Sequence, residues 1–193
     1  MRFEEIKNKL KNYTIGIAGA GGLGSNCAVA LARTGIGRLI ICDFDIVTES
    51  NLNRQYYFKN QVGLKKVTAL KENIQKINPD IEIITYDIKL NEANLVSIFK
   101  TCDIIVEAFD LAEMKKMLIE TCIENMPDKS LVIGSGMAGF GNSNSIKTIK
   151  NGNIYICGDE MSEVSEDSPP LAPRVGMVAN MQANTVLEIL LKH

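Results

Sequence analysis

The sequence predicts a doubly wound α/β domain, and three observations carry that expectation. Apolar, β-rich runs alternate with segments of helical periodicity along the first two-thirds of the chain. A glycine-rich turn, Gly19-Ala20-Gly21-Gly22-Leu23-Gly24, separates the first run from the first helical segment. The length, 193 residues, suits one domain burying about two-thirds of its unfolded surface. Alternation of this kind produces parallel strands joined by right-handed crossovers, with helices on both faces. The expected architecture is Rossmann-like: a mostly parallel sheet with an antiparallel hairpin at one edge, in a single domain over 1–193.

Each element has its own reason. Phe3, Ile6 and Leu10 stand at helical spacing and predict a short first helix. Tyr13 to Ala18 is a β-rich run stopped by glycines, Leu23 to Thr34 is Ala-rich and helical, and Arg38 to Cys42 reads as a buried strand. A polar stretch from Asp43 to Asn60 follows. From Gly63 to Ile77, apolar residues recur at Val67, Leu70, Ile74 and Ile77 before Asn78-Pro79 stops the helix. The alternation continues with strand Ile81 to Tyr86, helix Glu92 to Phe99, strand Asp103 to Ala108, helix Leu111 to Glu124 and strand Leu131 to Ile133. Asn151-Gly152 between Ile146–Ile149 and Asn153–Cys157 is a strong hairpin signal. Residues 158–173 hold Asp159, Glu160, Glu163, Glu166 and Asp167 with few apolar positions, which predicts a mobile acidic crossover loop before a closing helix from Val175 to Leu191.

Composition excludes several kinds of chemistry. Basic and acidic residues number 21 and 23, a net charge of −2 that supplies no nucleic-acid footprint. The single histidine is His193, so a His general base, a Cys-His pair or a His-ligated metal would need the C-terminus to fold back into a site. The five cysteines contain no CxxC pair, which excludes a zinc knuckle, and their dispersal through apolar runs reads as reduced and cytoplasmic. No apolar run is long enough to cross a membrane, and the charged N-terminus is unlike a signal peptide.

The glycine turn lies between a strand and a helix, with Asp43 at the end of the second strand, 19 residues beyond Gly24. Such a turn brings phosphate oxygens to the amides of a helix N-terminus, and the carboxylate accepts hydrogen bonds from ribose hydroxyls. A structural turn is the bland alternative. Gly134-Ser135-Gly136-Met137-Ala138-Gly139 has the same spelling but runs into Phe140-Gly141-Asn142 and another strand, so it reads as a flexible turn able to line a site only by close backbone approach.

A nicotinamide-binding domain leaves the next segment unexplained. Asp43-Phe44-Asp45-Ile46-Val47-Thr48-Glu49-Ser50-Asn51-Leu52-Asn53-Arg54-Gln55 is a long polar insert, followed by Gly63-Leu64-Lys65-Lys66 and by Asp110 after the fourth strand. The glycine turn, this insert, the lysine and the aspartate together resemble the ubiquitin-activating-enzyme-like adenylyltransferases of the ThiF, MoeB and HesA type, most of all a compact ThiF subgroup without zinc. The likeness covers residues 13 to 120 well, with an echo at Ala172-Pro173-Arg174-Val175-Gly176.

That resemblance implies a Rossmann-like domain that uses ATP and Mg²⁺ to join AMP to the C-terminal glycine carboxylate of a ubiquitin-like sulfur carrier. The carrier would be ThiS-like with a Gly-Gly end, placing the chain in thiamine biosynthesis as a homodimer. It assigns Gly19, Gly21, Gly22 and Gly24 to the phosphates, Asp43 to the ribose with Asn51 nearby, and Arg54 and Lys66 to the triphosphate. Gln55 would set that loop, Asp45 would join the nucleotide site, and Asp110 would bind Mg²⁺. Each residue has a second reading: Arg54 and Lys66 as solvated charges, Lys65 in place of Lys66, Asp45 as a turn residue, Asp110 as a helix cap. Departures accompany the likeness. Cys157 stands alone near where larger relatives carry the first of two zinc-binding CxxC pairs, and no second pair follows, so zinc is not expected. The position before Ala172-Pro173 where relatives carry a thiol lies in Glu163-Val164-Ser165-Glu166-Asp167-Ser168. Cys157 stands between a buried structural thiol and a reactive one. A nicotinamide-dependent oxidoreductase and a non-catalytic scaffold for a ubiquitin-like partner remain the alternative functions.

Overall fold

The computed structural model describes residues 1–192; His193, the one histidine, lies outside them. Six helices alternate with the strands: α1 (Phe3–Leu10), α2 (Gly22–Thr34), α3 (Lys66–Ile77), α4 (Glu92–Phe99), α5 (Ala112–Asn125) and α6 (Ala172–Leu191). The strands are β1 (Thr14–Ala18), β2 (Arg38–Cys42), β3 (Glu82–Tyr86), β4 (Ile104–Glu107), β5 (Ser130–Gly134), β6 (Lys147–Asn151) and β7 (Ile154–Gly158). They form one sheet in the order β3-β2-β1-β4-β5-β7-β6. Every adjacent pair is parallel except β6 with β7, the predicted hairpin.

The central strands are apolar throughout because both faces of the sheet are covered. Successive side chains point to opposite faces, so Ile104 and Val106 enter one core while Ile105 enters the other. The first core joins Ile15, Ile17, Leu39 and Ile41 to α2, α3 and α6 through Leu31, Leu70, Ile74 and Val178. The second joins Ile40, Leu131 and Ile133 to α4 and α5 through Leu95, Phe99 and Leu118. Gly16 makes the second core possible: a Cβ there would stand 2.6 Å from Cδ1 of the Phe99 ring.

The largest shifts from the predicted boundaries are at the starts of two helices. The helix expected from Gly63 starts at Lys66, because residues 63 and 64 fold back on Val47: Val47 N donates to Leu64 O at 2.8 Å and Gly63 N to Val47 O at 2.9 Å. The closing helix starts at Ala172, ahead of Val175, with Pro173 in its first turn, where a missing N–H costs nothing. Between β7 and α6 the acidic segment has neither helix nor strand; one bridge ties its Pro170 to Gly139. No described helix is long and apolar enough to cross a membrane.

The strand order reverses direction at β1 and β4, and a doubly wound sheet binds ligands outside the carboxyl ends of the strands at such a point. The residues following Ala18, Cys42 and Glu107 therefore share one rim.

Removing the Phe99 ring should leave a cavity that Gly16 cannot fill. Phe99→Ala is expected to lower unfolding free energy by about 3–5 kcal/mol, measured by urea unfolding at an unchanged m value.

Candidate functional site

The glycine turn is close-packed backbone. Gly19 has φ +100°, and a Cβ on Gly24 would fall 1.8 Å from Gly19 O. Gly21 is the N-cap of α2 and supplies no side chain to the first turn, which leaves amide donors and the positive end of the helix dipole facing the rim.

The polar insert folds onto this turn and is held by three hydrogen bonds. Tyr57 OH donates to Ala20 O at 2.7 Å, Tyr56 N to Ser25 Oγ at 3.0 Å, and Asn26 Nδ2 to Arg54 O at 2.9 Å. Arg54 is thereby laid beside the turn: a Cβ on Gly22 would lie 3.7 Å from its Cγ. Its Nη1 donates to Ser50 O at 3.1 Å and to Asn53 Oδ1 at 2.8 Å, so the half-buried side chain is held rather than free in solvent. Gln55 Oε1 is buried without a partner, an acceptor suited to a ligand hydroxyl or a water. Asn51 Oδ1 accepts from Thr48 N at 3.0 Å and closes the short helical turn at 49–51.

Two acidic residues organise the start of the insert. Asp43 accepts from Ala20 N at 2.6 Å and from Asp45 N at 2.8 Å, joining the glycine turn to the start of the insert. Burial pushes the Asp43 carboxyl above its ordinary range, while the Ala20 amide and nearby Lys66 pull it back. Lys66 and Lys65 separate sharply. Lys66, with a side chain 7% exposed, donates Nζ to Asp45 Oδ2 at 2.7 Å, whereas Lys65 is 47% exposed and lies 3.3 Å from Asp87. Asp45 is thus more than a turn residue: it holds the buried ammonium at the rim.

Asp110 is exposed two residues past the end of β4's neighbouring Ala108, whose carbonyl packs under Gly19. The helix-cap reading of Asp110 does not hold: the N-cap of α5 is Leu111, and no side-chain cap hydrogen bond forms there. The carboxylate three residues earlier, Glu107, is fully buried and paired with Lys115, whose Nζ also donates to Gly134 O at 2.7 Å. Burial pushes Glu107 upward and Lys115 opposes the shift. Gln182 Nε2 donates to Glu107 O at 2.8 Å, tying α6 to the same point.

All five cysteines are buried and reduced. Burial raises Cys42 and Cys102 to about 12 and Cys122 to about 11, and it raises Cys27 and Cys157 as well; Thr185 and Thr148 hydrogen bonds moderate the last. Among the described residues no three His, Cys, Asp or Glu side chains gather as a metal-binding group.

The motif residues therefore come to one rim from separate loops. Spacing gives no sign of Lys115, Glu107 or the Tyr57 and Asn26 braces, because each meets a partner on a different element. Arg174 is a further unheralded residue, an arginine only 5% exposed in the first turn of α6 and paired with Asp159. Its sequence signals are its place in the family echo Ala172-Pro173-Arg174-Val175-Gly176 and a charge inside an otherwise apolar helix start.

Known proteins agree with this architecture. The chain is 36% identical over 180 residues to the adenylyltransferase and sulfurtransferase UBA4 of Eremothecium gossypii, covering 93% of this chain and 38% of that protein. It is 32% identical to the adenylyltransferase and sulfurtransferase MOCS3 of Aedes aegypti, covering 95% of this chain and 43% of that one. The chain thus spans about two-fifths of the length of these curated relatives. The solved structure of E. coli tRNA N6-threonylcarbamoyladenosine dehydratase in complex with AMP superposes with a TM-score of 0.87 at 23% identity, covering 97% of this chain and 90% of that one. E. coli MccB with ATP gives 0.74 at 24%, covering 96% and 57%. At these identities the likenesses to solved structures show the fold. The family model matches residues 2–193, and the chain belongs to the ThiF family.

Proposed function

We propose that the chain is an ATP-dependent adenylyltransferase that joins AMP to the C-terminal glycine carboxylate of a ubiquitin-like sulfur carrier. A ThiS-like carrier of thiamine biosynthesis is the first candidate, and a homodimer the proposed working form. The observation that carries this reading is the convergence of the glycine turn, Asp43, Arg54 and the buried Lys66 on one rim. The curated relatives UBA4 and MOCS3 are adenylyltransferases, which supports adenylyl transfer, and two structural neighbours solved with AMP and with ATP support the nucleotide. A nicotinamide oxidoreductase leaves the insert at 43–55 without a role.

In this reading a carrier carboxylate oxygen attacks the α-phosphorus of ATP. A carboxylate–phosphorus bond forms, the bond to the bridging oxygen breaks, and pyrophosphate leaves with its electron pair. The nucleophile is weak, so the work falls on positioning and neutralisation of charge. Amides at the start of α2 receive phosphate oxygens, and Asp43 uses its remaining lone pairs for the ribose hydroxyls, with Asn51 and the unpartnered Gln55 Oε1 close by. Arg54 near the end of the insert and Lys66 at the start of α3 take the triphosphate charge. A buried ammonium held by one half-exposed carboxylate is strongly felt by a phosphate entering from the rim.

The donor set also fits Mg²⁺. That ion is commonly held by one or two carboxylates together with substrate phosphates, and Asp110 is exposed and clear of the helix cap, while Glu107 is committed to Lys115. Asp110 would hold the ion, which supplies neutralisation of the phosphates and of the leaving pyrophosphate.

The deciding experiment is pyrophosphate exchange into ATP with Mg²⁺ and a recombinant ThiS-like carrier ending in Gly-Gly. Carrier-dependent exchange is expected; its absence with every such carrier of the host would overturn the reading. Asp110→Ala should reduce exchange by about 100-fold or more with an unchanged circular dichroism spectrum, whereas full activity would remove Asp110 from the reaction. Gly24→Ala, whose methyl meets Gly19 O, should abolish ATP binding measured by equilibrium dialysis.

A further inference from the structure

Two segments left unused by the nucleotide chemistry meet beyond the ends of β5 and β7. One is the second glycine turn, Gly134–Gly139; the other is the acidic segment between Gly158 and Ala172. They fit each other closely. A Cβ on Gly136, which has φ +79°, would stand 1.9 Å from Asp159 Oδ1, and one on Gly158 would stand 1.7 Å from Ser135 O. Glycine is required on both sides of the seam.

One guanidinium fastens that seam. Arg174 Nη2 pairs with Asp159 Oδ2, and Nη1 donates to Gly141 O, so the start of α6, the residue after β7 and the stretch just past the second glycine turn share one side chain. Its Nε is buried without a partner, leaving the hold to those two contacts. Asp159 also accepts from Ser162 N at 2.8 Å, Met161 N at 3.0 Å and Ser162 Oγ at 3.0 Å. Burial opposes its ionisation, but the Ser162 and Met161 amides and Arg174 outweigh burial and hold the carboxyl below its ordinary range.

Farther along, Gly139 N donates to Pro169 O at 3.0 Å, so the acidic segment is pinned again before α6. Between the two pins lies a cavity of about 370 Å³, lined among others by Ala138, Phe140, Ser162, Asp167, Leu171 and Arg174. That volume suits a few residues of extended peptide and not a folded body. Phe140 and Met161, 87% and 86% exposed, stand beside it as apolar surface for whatever body the peptide belongs to.

We propose that the Arg174–Asp159 pair positions the second substrate. It sets the opening between the acidic segment and the glycine turn, so that an extended protein C-terminus enters at a fixed height, and it takes no part in holding the nucleotide. This rests on the adenylyltransferase reading. Arg174 is accordingly a positioning residue: without it Asp159 stays buried with no counter-charge, and the segment lifts from the turn.

The test separates the two substrates. Arg174→Met is expected to raise the KM for a recombinant ThiS-like carrier by about tenfold or more, with kcat changed far less and ATP affinity by equilibrium dialysis unchanged. Arg174→Lys, which keeps the charge but has no fork, should recover most of that loss and serves if the methionine variant fails to fold. Cleavage after Glu163 and Glu166 by a glutamyl endopeptidase should quicken in Arg174→Met and return toward the wild-type rate in Arg174→Lys. An unaltered carrier KM in a folded Arg174→Met protein, or a parallel loss of ATP affinity, would overturn this assignment alone. No exchange in the wild-type protein would overturn the proposed function and this assignment with it.

Discussion

The contact between Gly24 and the carbonyl of Gly19 is the constraint on which the rest of the site depends. With no room for even a methyl group, α2 starts directly against the end of β1, and its first amides face the rim instead of a side chain. Everything added later takes its position from that close approach. Val175 of α6 packs over Gly22, where a Cβ would be 3.0 Å from its Cγ1, and Ala108, just past the end of β4, closes the underside. Glycine here costs backbone entropy in the unfolded chain, a cost the surrounding core offsets.

Around that turn the charges follow one pattern. Lys66, Lys115 and Arg174 are each drawn out of solvent and each meets one carboxylate, Asp45, Glu107 and Asp159. All three pairs join pieces of chain far apart in sequence or on different elements, and all stand at the same end of the sheet. Buried pairs are weak contributors to net stability, since desolvation cancels much of their attraction, but breaking one is costly. Their effect is to make loop geometry specific: the insert, the end of β4 and the acidic segment each have one low-energy placement.

The strands were legible because apolar runs such as Leu39-Ile40-Ile41 and Ile104-Ile105-Val106 run out into Asp43 and Asp110 within a few residues. Their pairing was less so. The hairpin was visible in Asn151-Gly152, yet which of its strands meets β5 is decided by a non-local contact, and β7, the later strand, takes the inner place. At the site, residues with a motif register were legible and those defined by a distant partner were not. Arg174 looks like any solvated arginine until Asp159 is placed beside it, and Glu107 hides inside an apolar strand. Local spacing also misjudged the start of α3, because the pull of Val47 on residues 63 and 64 is invisible to periodicity.

Placing β7 inside leaves β6 as the outer strand, and its sequence suits an edge. Lys147 and Lys150 project from it, one 3.8 Å from Glu160 and the other 5.2 Å above the Tyr155 ring. A row of unpaired backbone donors and acceptors is an invitation to another chain, and lysines along it make strand-to-strand addition unfavourable. The opposite margin, β3, carries Glu82 in an ion pair with Arg38. The sheet is thus bounded on both sides by charge, which guards a concentrated solution of this protein against growth into fibrous or amorphous aggregates.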